Sequence, residues 1–104
     1  MIKNTGTRQI KPTHPGEMLV EEFLTPMGIN ENELAEFIHV SAQRINEIIT
    51  DQKSITPSIA LRLAKYFGMS ADFGMNLQLR WDLYQAGIAE AEAVGRIRTF
   101  RAAG

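Results

Sequence analysis

The stretch from Asn30 to Ile49, NENELAEFIHVSAQRINEII, leaves the chain few folds to choose from. Asn30 can cap a helix, and Glu33 three residues on completes a capping box. Leu34, Phe37 and Ile38 follow at the spacing that puts them on one helical face, while Ala35 is small where a second helix must come close. A turn at His39 reverses the chain, Val40 buries there, and Ser41 caps a second helix whose Ile45, Ile48 and Ile49 again share a face. Two short amphipathic helices joined by a turn of about three or four residues are the outline of a helix-turn-helix. The other face of the second helix carries Gln43, Arg44, Asn46 and Glu47, side chains that can form hydrogen bonds with base edges.

The flanking sequence supplies helices for this pair to pack against. Residues 1–13 are polar and without periodicity, and read as a flexible arm. Pro15 suits the first position of a helix running to about Thr25, with Met18, Leu19, Phe23 and Leu24 inward, and Pro26 and Gly28 are expected to end it. After a polar loop, Thr50 to Ser54, Ile55-Thr56-Pro57 supplies a staple residue, a cap and a first-turn proline. The helix after this proline runs through Ile59, Leu63, Tyr66 and Phe67 and stops at Gly68. A fifth helix from the Ser70 cap reaches about Ala86, where Gly87 is expected to break it. Residues 88–101 are mostly good helix formers and allow a sixth. The chain thus reads as all-α, with residues 14–86 a helix-turn-helix domain and 87–104 a C-terminal helix or tail.

The fifth helix has two apolar stripes: Phe73, Leu77, Trp81 and Tyr84 form one, and Met75, Leu79 and Leu83 the other. One small core rarely needs both, so one stripe is expected to bury against a second copy of the chain. Leu79, Trp81, Leu83 and Tyr84 are the candidate dimerisation residues, with the C-terminal segment a further element.

Charge first argues against a nucleic-acid partner, because the net is -1 at pH 7 and phosphate neutralisation supplies most non-specific affinity. Its distribution answers the objection. Residues 1–14 hold Lys3, Arg8 and Lys11 and no acid, while 15–39 hold Glu17, Glu21, Glu22, Glu31, Glu33 and Glu36 and no Lys or Arg. Residues 40–67 set Arg44, Lys53, Arg62 and Lys65 against Glu47 and Asp51. The second helix of the pair and the segment after it are the basic part of the core, and a dimer doubles that patch.

With no cysteine, neither a disulfide framework nor a thiolate metal site can form, which fits a cytoplasmic setting. No apolar run approaches the ~18 residues of a membrane span, and the N-terminus lacks a signal-peptide core. His14 and His39 are far apart and in no metal-ligand spacing, and no phosphate-cradling glycine loop is present. No metal, cofactor or catalytic residue is therefore expected. His14 beside Pro15 reads as the residue that starts a helix.

HPGEMLVEEFLTPMGI, ELAEFIHVSAQRINEII and ITPSIALRLAKYFGMSADFGMNLQLRWDL occur in that order, and with this spacing the chain resembles the HigA-type antitoxins, a branch of the Xre-like helix-turn-helix regulators of bacteria. The similarity covers roughly Pro12 to Leu83. It implies a five- to six-helix, lambda-repressor-like bundle, a homodimer that binds double-stranded operator DNA in its own promoter, and a partner toxin of the RelE-like, messenger-RNA-cleaving kind. Carried over by position, Ser41, Ala42, Gln43, Arg44 and Glu47 form the reading helix, with Asn46 beside them. Gln43 and Arg44 would reach base edges, Ser41 would meet phosphate or cap the helix, and Glu47 would accept from a cytosine amino group or orient Arg44. Lys53 and Thr56 would meet the phosphate backbone.

Three positions depart from the pattern. Glu31 stands where many relatives place a phosphate-touching Gln, His39 stands where glycine is more frequent, and Gly74 stands where the family usually has a Trp. The last is expected to bend the fifth helix or to leave a space for Trp81 to fill. Two other readings remain open: a helix-turn-helix regulator without a toxin, and an interaction module that has lost DNA binding.

Overall fold

The computed structural model describes residues 11–101, so most of the expected arm lies outside the described residues. Among the described residues there are helices and no strand. The first helix, α1, is one rod with three parts: α-helical Pro15–Leu19, a π-helical turn Val20–Leu24, and α-helical Thr25–Met27. Next come α2 (Glu31–Phe37), α3 (Ala42–Ile49) and α4 (Pro57–Phe67). A long α5 (Ala71–Ala89) and a short α6 (Ala91–Gly95) complete the order.

Each helix begins as its local chemistry dictates. Asn30 and Glu33 form the reciprocal capping box, at 2.8 and 2.9 Å. Ser41, Thr56 and Ser70 each accept a backbone N–H from the first turn of the helix they precede. His14 caps α1 through Nδ1, which accepts the Gly16 N–H at 3.1 Å.

Four helices end in the same way, with one left-handed residue after which the chain folds back. Gly28 and Gly68 (φ 70° each) end α1 and α4; His39 (φ 63°) and Asp51 (φ 64°) end α2 and α3. In all four the next residue donates its N–H to the carbonyl five positions back, with distances of 2.7 to 3.1 Å, the Schellman arrangement. For the two non-glycine residues that backbone costs about 1–2 kcal/mol each. Both are held by a side chain from elsewhere in the fold, His39 by Arg62 and Asp51 by His14.

Two expected breaks do not occur. Pro26 lies inside the last turn of α1 rather than ending it. The wide turn just before it lets Thr25 bond to the carbonyl of Val20, which eases the carbonyl row against which a proline ring would clash. Gly87 likewise sits inside α5, which runs on to Ala89; a single glycine weakens a helix by about 1 kcal/mol without stopping it. The expected helix over 88–101 shrinks to α6, whose residues are all exposed.

The core lies where α1, α2, α3 and α4 meet. Leu34, Ile45, Ile48 and Ile59 are fully buried, with Leu19, Leu24, Ile38 and Leu63 around them, each contributing ~1.5–3 kcal/mol of apolar burial. Phe37, expected on the apolar face with Leu34 and Ile38, is instead 46% exposed and stacks on Tyr66 with centroids 5.3 Å apart. The helix pair is locked to α1 at Gly16. A Cβ there would lie 2.5 Å from the Ile48 carbonyl oxygen and the Ile49 Cα, so only glycine lets α1 rest against the end of α3.

Helix α5 packs mainly on α4 through buried Gly74 and Gln78 and half-buried Met75. It does not break at Gly74. Gly74 instead lines a cavity of about 20 Å³ together with Ile55, Ala60, Phe73 and Leu77. Trp81 does not fill it, because its ring is taken up by His14, 4.9 Å away and edge-on.

These two buried glycines should respond in opposite directions. At Gly74 an added Cβ meets Ala60 and Ile55 at 3.7–3.8 Å, so Gly74→Ala should stabilise by about 1 kcal/mol, raising Tm by roughly 4–8 °C. Gly16→Ala should cost about 3 kcal/mol or more through overlap with backbone. Thermal unfolding followed by circular dichroism checks both.

Candidate nucleic-acid interface

The isoleucines of α3 fix which way its other face looks. With Ile45 and Ile48 buried at 0% and 1% exposure, the helical period turns Ser41, Gln43 and Asn46 to solvent and leaves Ala42, Arg44 and Glu47 partly exposed. The polar side predicted to face a duplex is thus free of the protein body. Lys53 is exposed in the loop after α3, and Thr56 is half-buried as the cap of α4. All eight sequence-derived contact residues lie on α3 or its cap, or on the loop and cap that lead into α4.

The side chains on this surface are already partly engaged with one another. Gln43 Nε2 donates to Glu47 Oε2 at 3.2 Å, so Glu47 orients Gln43 rather than Arg44. Asn46 Nδ2 donates to Glu31 Oε1 at 3.2 Å, and Thr50 Oγ1 donates to the Asn46 carbonyl. Among the described residues no hydrogen bond holds the Arg44 guanidinium, which leaves its fork of donors available for a pair of acceptors such as guanine O6 and N7.

Three carboxylates border the same surface, and each has a polar partner: Glu31 accepts from Asn46, Glu47 accepts from Gln43, and Asp51 Oδ1 lies 3.0 Å from His14 Nε2. The acids are held in place by these partners, while Arg44 is partly exposed and Lys53 exposed. Glu31, at the start of α2, thus has its partner within the protein, in Asn46 of α3.

Four features that set the site escaped the sequence reading. Arg62, counted there only as charge, donates from Nη1 to the carbonyls of Ile38 and His39 at 2.9 and 3.3 Å, closing the left-handed turn between α2 and α3. Gln78 is buried and accepts the Ile55 N–H at 2.8 Å while donating to Asp82 at 3.0 Å. A polar residue on the inward face of α5, one turn after Gly74, was the signal available for it. Gly16 and the His14–Asp51 pair had none, because each depends on a contact distant in sequence.

The candidate dimer residues separate in space. Trp81 is half-buried against His14, Tyr84 lies 6.4 Å from Trp81, and Met75 joins the core. Leu79 and Leu83 stay 54% and 63% exposed.

Among the described residues no helix is long and apolar enough to cross a membrane, and no group of three His, Asp or Glu residues converges as a metal site would require. The fold and its exposed reading surface define a DNA-binding helix-turn-helix regulator, and residues 20–73 match the family described as Helix-turn-helix. Virulence-associated protein I of Dichelobacter nodosus is 47% identical over 81 residues, 78% of this chain and 75% of that protein. The uncharacterised HTH-type transcriptional regulator YbaQ of Escherichia coli K12 is 40% identical over 91 residues, 86% of this chain and 80% of the relative. Among solved structures, the Pseudomonas aeruginosa antitoxin HigA with the higBA promoter superposes with a TM-score of 0.82 at 38% identity, covering 86% of this chain and 99% of that one. The chain belongs to the Xre-like helix-turn-helix family, alongside the HigA antitoxins and related regulators, which are not enzymes.

Two substitutions separate base reading from charge. Arg44→Ala should cost about 1–3 kcal/mol and relax specificity at one base pair. Glu31→Gln, which removes a negative charge and restores an amide at the start of α2, should tighten operator binding by roughly tenfold, or ~1.4 kcal/mol. Gel shifts on operator and single-base variants distinguish them.

Proposed function

We propose that this protein is the antitoxin of a type II toxin–antitoxin module: a homodimer that places α3 of each subunit in the major groove of its own promoter and neutralises a RelE-like toxin that cleaves messenger RNA. The observation that carries the DNA half of this reading is the exposed polar side of α3, backed by fully buried isoleucines. Ser41 at the start of α3, Lys53 in the loop and Thr56 at the cap of α4 hold the phosphate backbone, Gln43 and Arg44 read bases, and Ala42 allows close approach. The HigA neighbour from Pseudomonas aeruginosa was solved with promoter DNA, which supports the same docking here. Exposure of this face also weighs against an interaction module that has lost DNA binding.

Leu79 and Leu83 lie one turn apart on a face of α5 that nothing among the described residues covers, and a two-fold dimer through them supplies the paired reading helices that operators of this kind require. A regulator that works without a toxin shares all of these features, and the resemblance to YbaQ favours it. The two are separated by whether the protein, co-expressed with a neighbouring basic open reading frame, restores growth and co-purifies with its product.

Binding of the purified protein to DNA spanning its own upstream region, at two salt concentrations, tests the repressor role. Specific binding that weakens as salt rises is expected, and equal affinity for unrelated DNA contradicts it. Leu79→Glu with Leu83→Glu should convert the dimer to a monomer by light scattering and weaken operator binding at least tenfold. A mutant that stays dimeric moves the interface elsewhere.

A further inference from the structure

The loop between α3 and α4 is fixed at both ends, by two different helices. At its start stands Asp51, in the left-handed conformation with φ 64°. Its carboxylate Oδ1 lies 3.0 Å from His14 Nε2. At its end the Ile55 N–H is buried against Gln78 Oε1 at 2.8 Å. Lys53, the exposed cation of the loop, is carried between the two, and its own N–H is bonded to the Glu47 carbonyl at 3.1 Å.

The His14 end is specified in unusual detail. Nδ1 accepts the Gly16 N–H, so in the neutral ring the single proton lies on Nε2, the atom that faces Asp51. The Trp81 edge, with its centroid 4.9 Å away, restrains the ring further, and only 14% of the His14 side chain is exposed. One imidazole therefore starts α1 and also ties down the residue that ends α3.

We propose that His14 is a positioning residue for DNA binding, acting through Asp51 to hold the loop that presents Lys53 to the phosphate backbone. This inference rests on the operator-binding role proposed for the protein. The physical reason is pre-organisation: a loop already ordered in the free protein loses less conformational freedom when its cation meets phosphate. The bond also occupies a carboxylate that borders the DNA-facing surface.

The test separates the cap from the contact. His14→Asn keeps a good helix cap but cannot reach Asp51. Asp51→Gly removes the same contact while suiting the left-handed backbone, and Asp51→Asn removes the charge yet keeps an oxygen to accept from Nε2. Operator affinity and its salt dependence are measured for each full-length variant, with thermal unfolding in parallel. His14→Asn and Asp51→Gly should bind operator roughly threefold to tenfold more weakly than Asp51→Asn, and the slope of log K against log salt should fall by about 0.9, the share of one phosphate contact. Asp51→Asn should bind at least as well as the unaltered protein. A merely structural role would lower Tm and leave the salt slope unchanged. The proposal is overturned if His14→Asn and Asp51→Gly match Asp51→Asn in affinity and slope. Should the unaltered protein itself fail to bind, the operator-binding role fails first.

Discussion

Burial of Ile45 and Ile48 against Leu34 and Ala35 is the constraint on which the rest depends. These four side chains set the angle between α2 and α3, and by doing so decide which residues of α3 are left outside. The packing is close because Ala35 is small and because the chain between the helices turns in few residues. That economy forces His39 into a left-handed backbone, and Arg62, reaching across from α4, bonds the carbonyls of Ile38 and His39. A cation that sequence alone would assign to the surface is thus spent on holding the turn.

The same logic extends outward from the helix pair. Gly16 lets α1 rest on the end of α3, His14 caps α1 and fastens Asp51, and Gln78 satisfies the backbone N–H of Ile55 that would otherwise be stranded beneath the loop. Two helices, α1 and α5, therefore converge on the short segment after α3, the part of the molecule that must be still if a flexible lysine is to find a phosphate. On the reading surface itself each bordering carboxylate has a polar partner within the protein.

Much of this architecture was legible in the sequence because it is written locally. Caps at Asn30, Ser41, Thr56 and Ser70, and the periodic Ile45 and Ile48, depend on neighbours within four residues. What failed were inferences that treated one residue as decisive. Pro26 did not end α1, since a wide turn before it relieved the clash, and Gly87 did not end α5, since one glycine costs too little. Phe37 fit the apolar face of α2 yet stacks on Tyr66 at the surface. Roles that depend on contacts distant in sequence were invisible: Arg62 as a clamp, Gly16 as a close approach, His14 as a tie. Trp81, read as one of the dimer residues, packs on His14 within its own subunit, whereas Leu79 and Leu83 stay exposed.

The central claim is that the polar side of α3 enters a major groove. Dimethyl sulfate methylates guanine at N7, on the major-groove edge that an arginine fork would cover. With the protein bound to its upstream DNA, protection of guanine N7 confined to two short tracts about one helical turn apart is the expected result, and the protection should be lost at one guanine per tract when Arg44 is alanine. Unchanged methylation of every guanine in a bound complex would place α3 outside the groove and contradict the account.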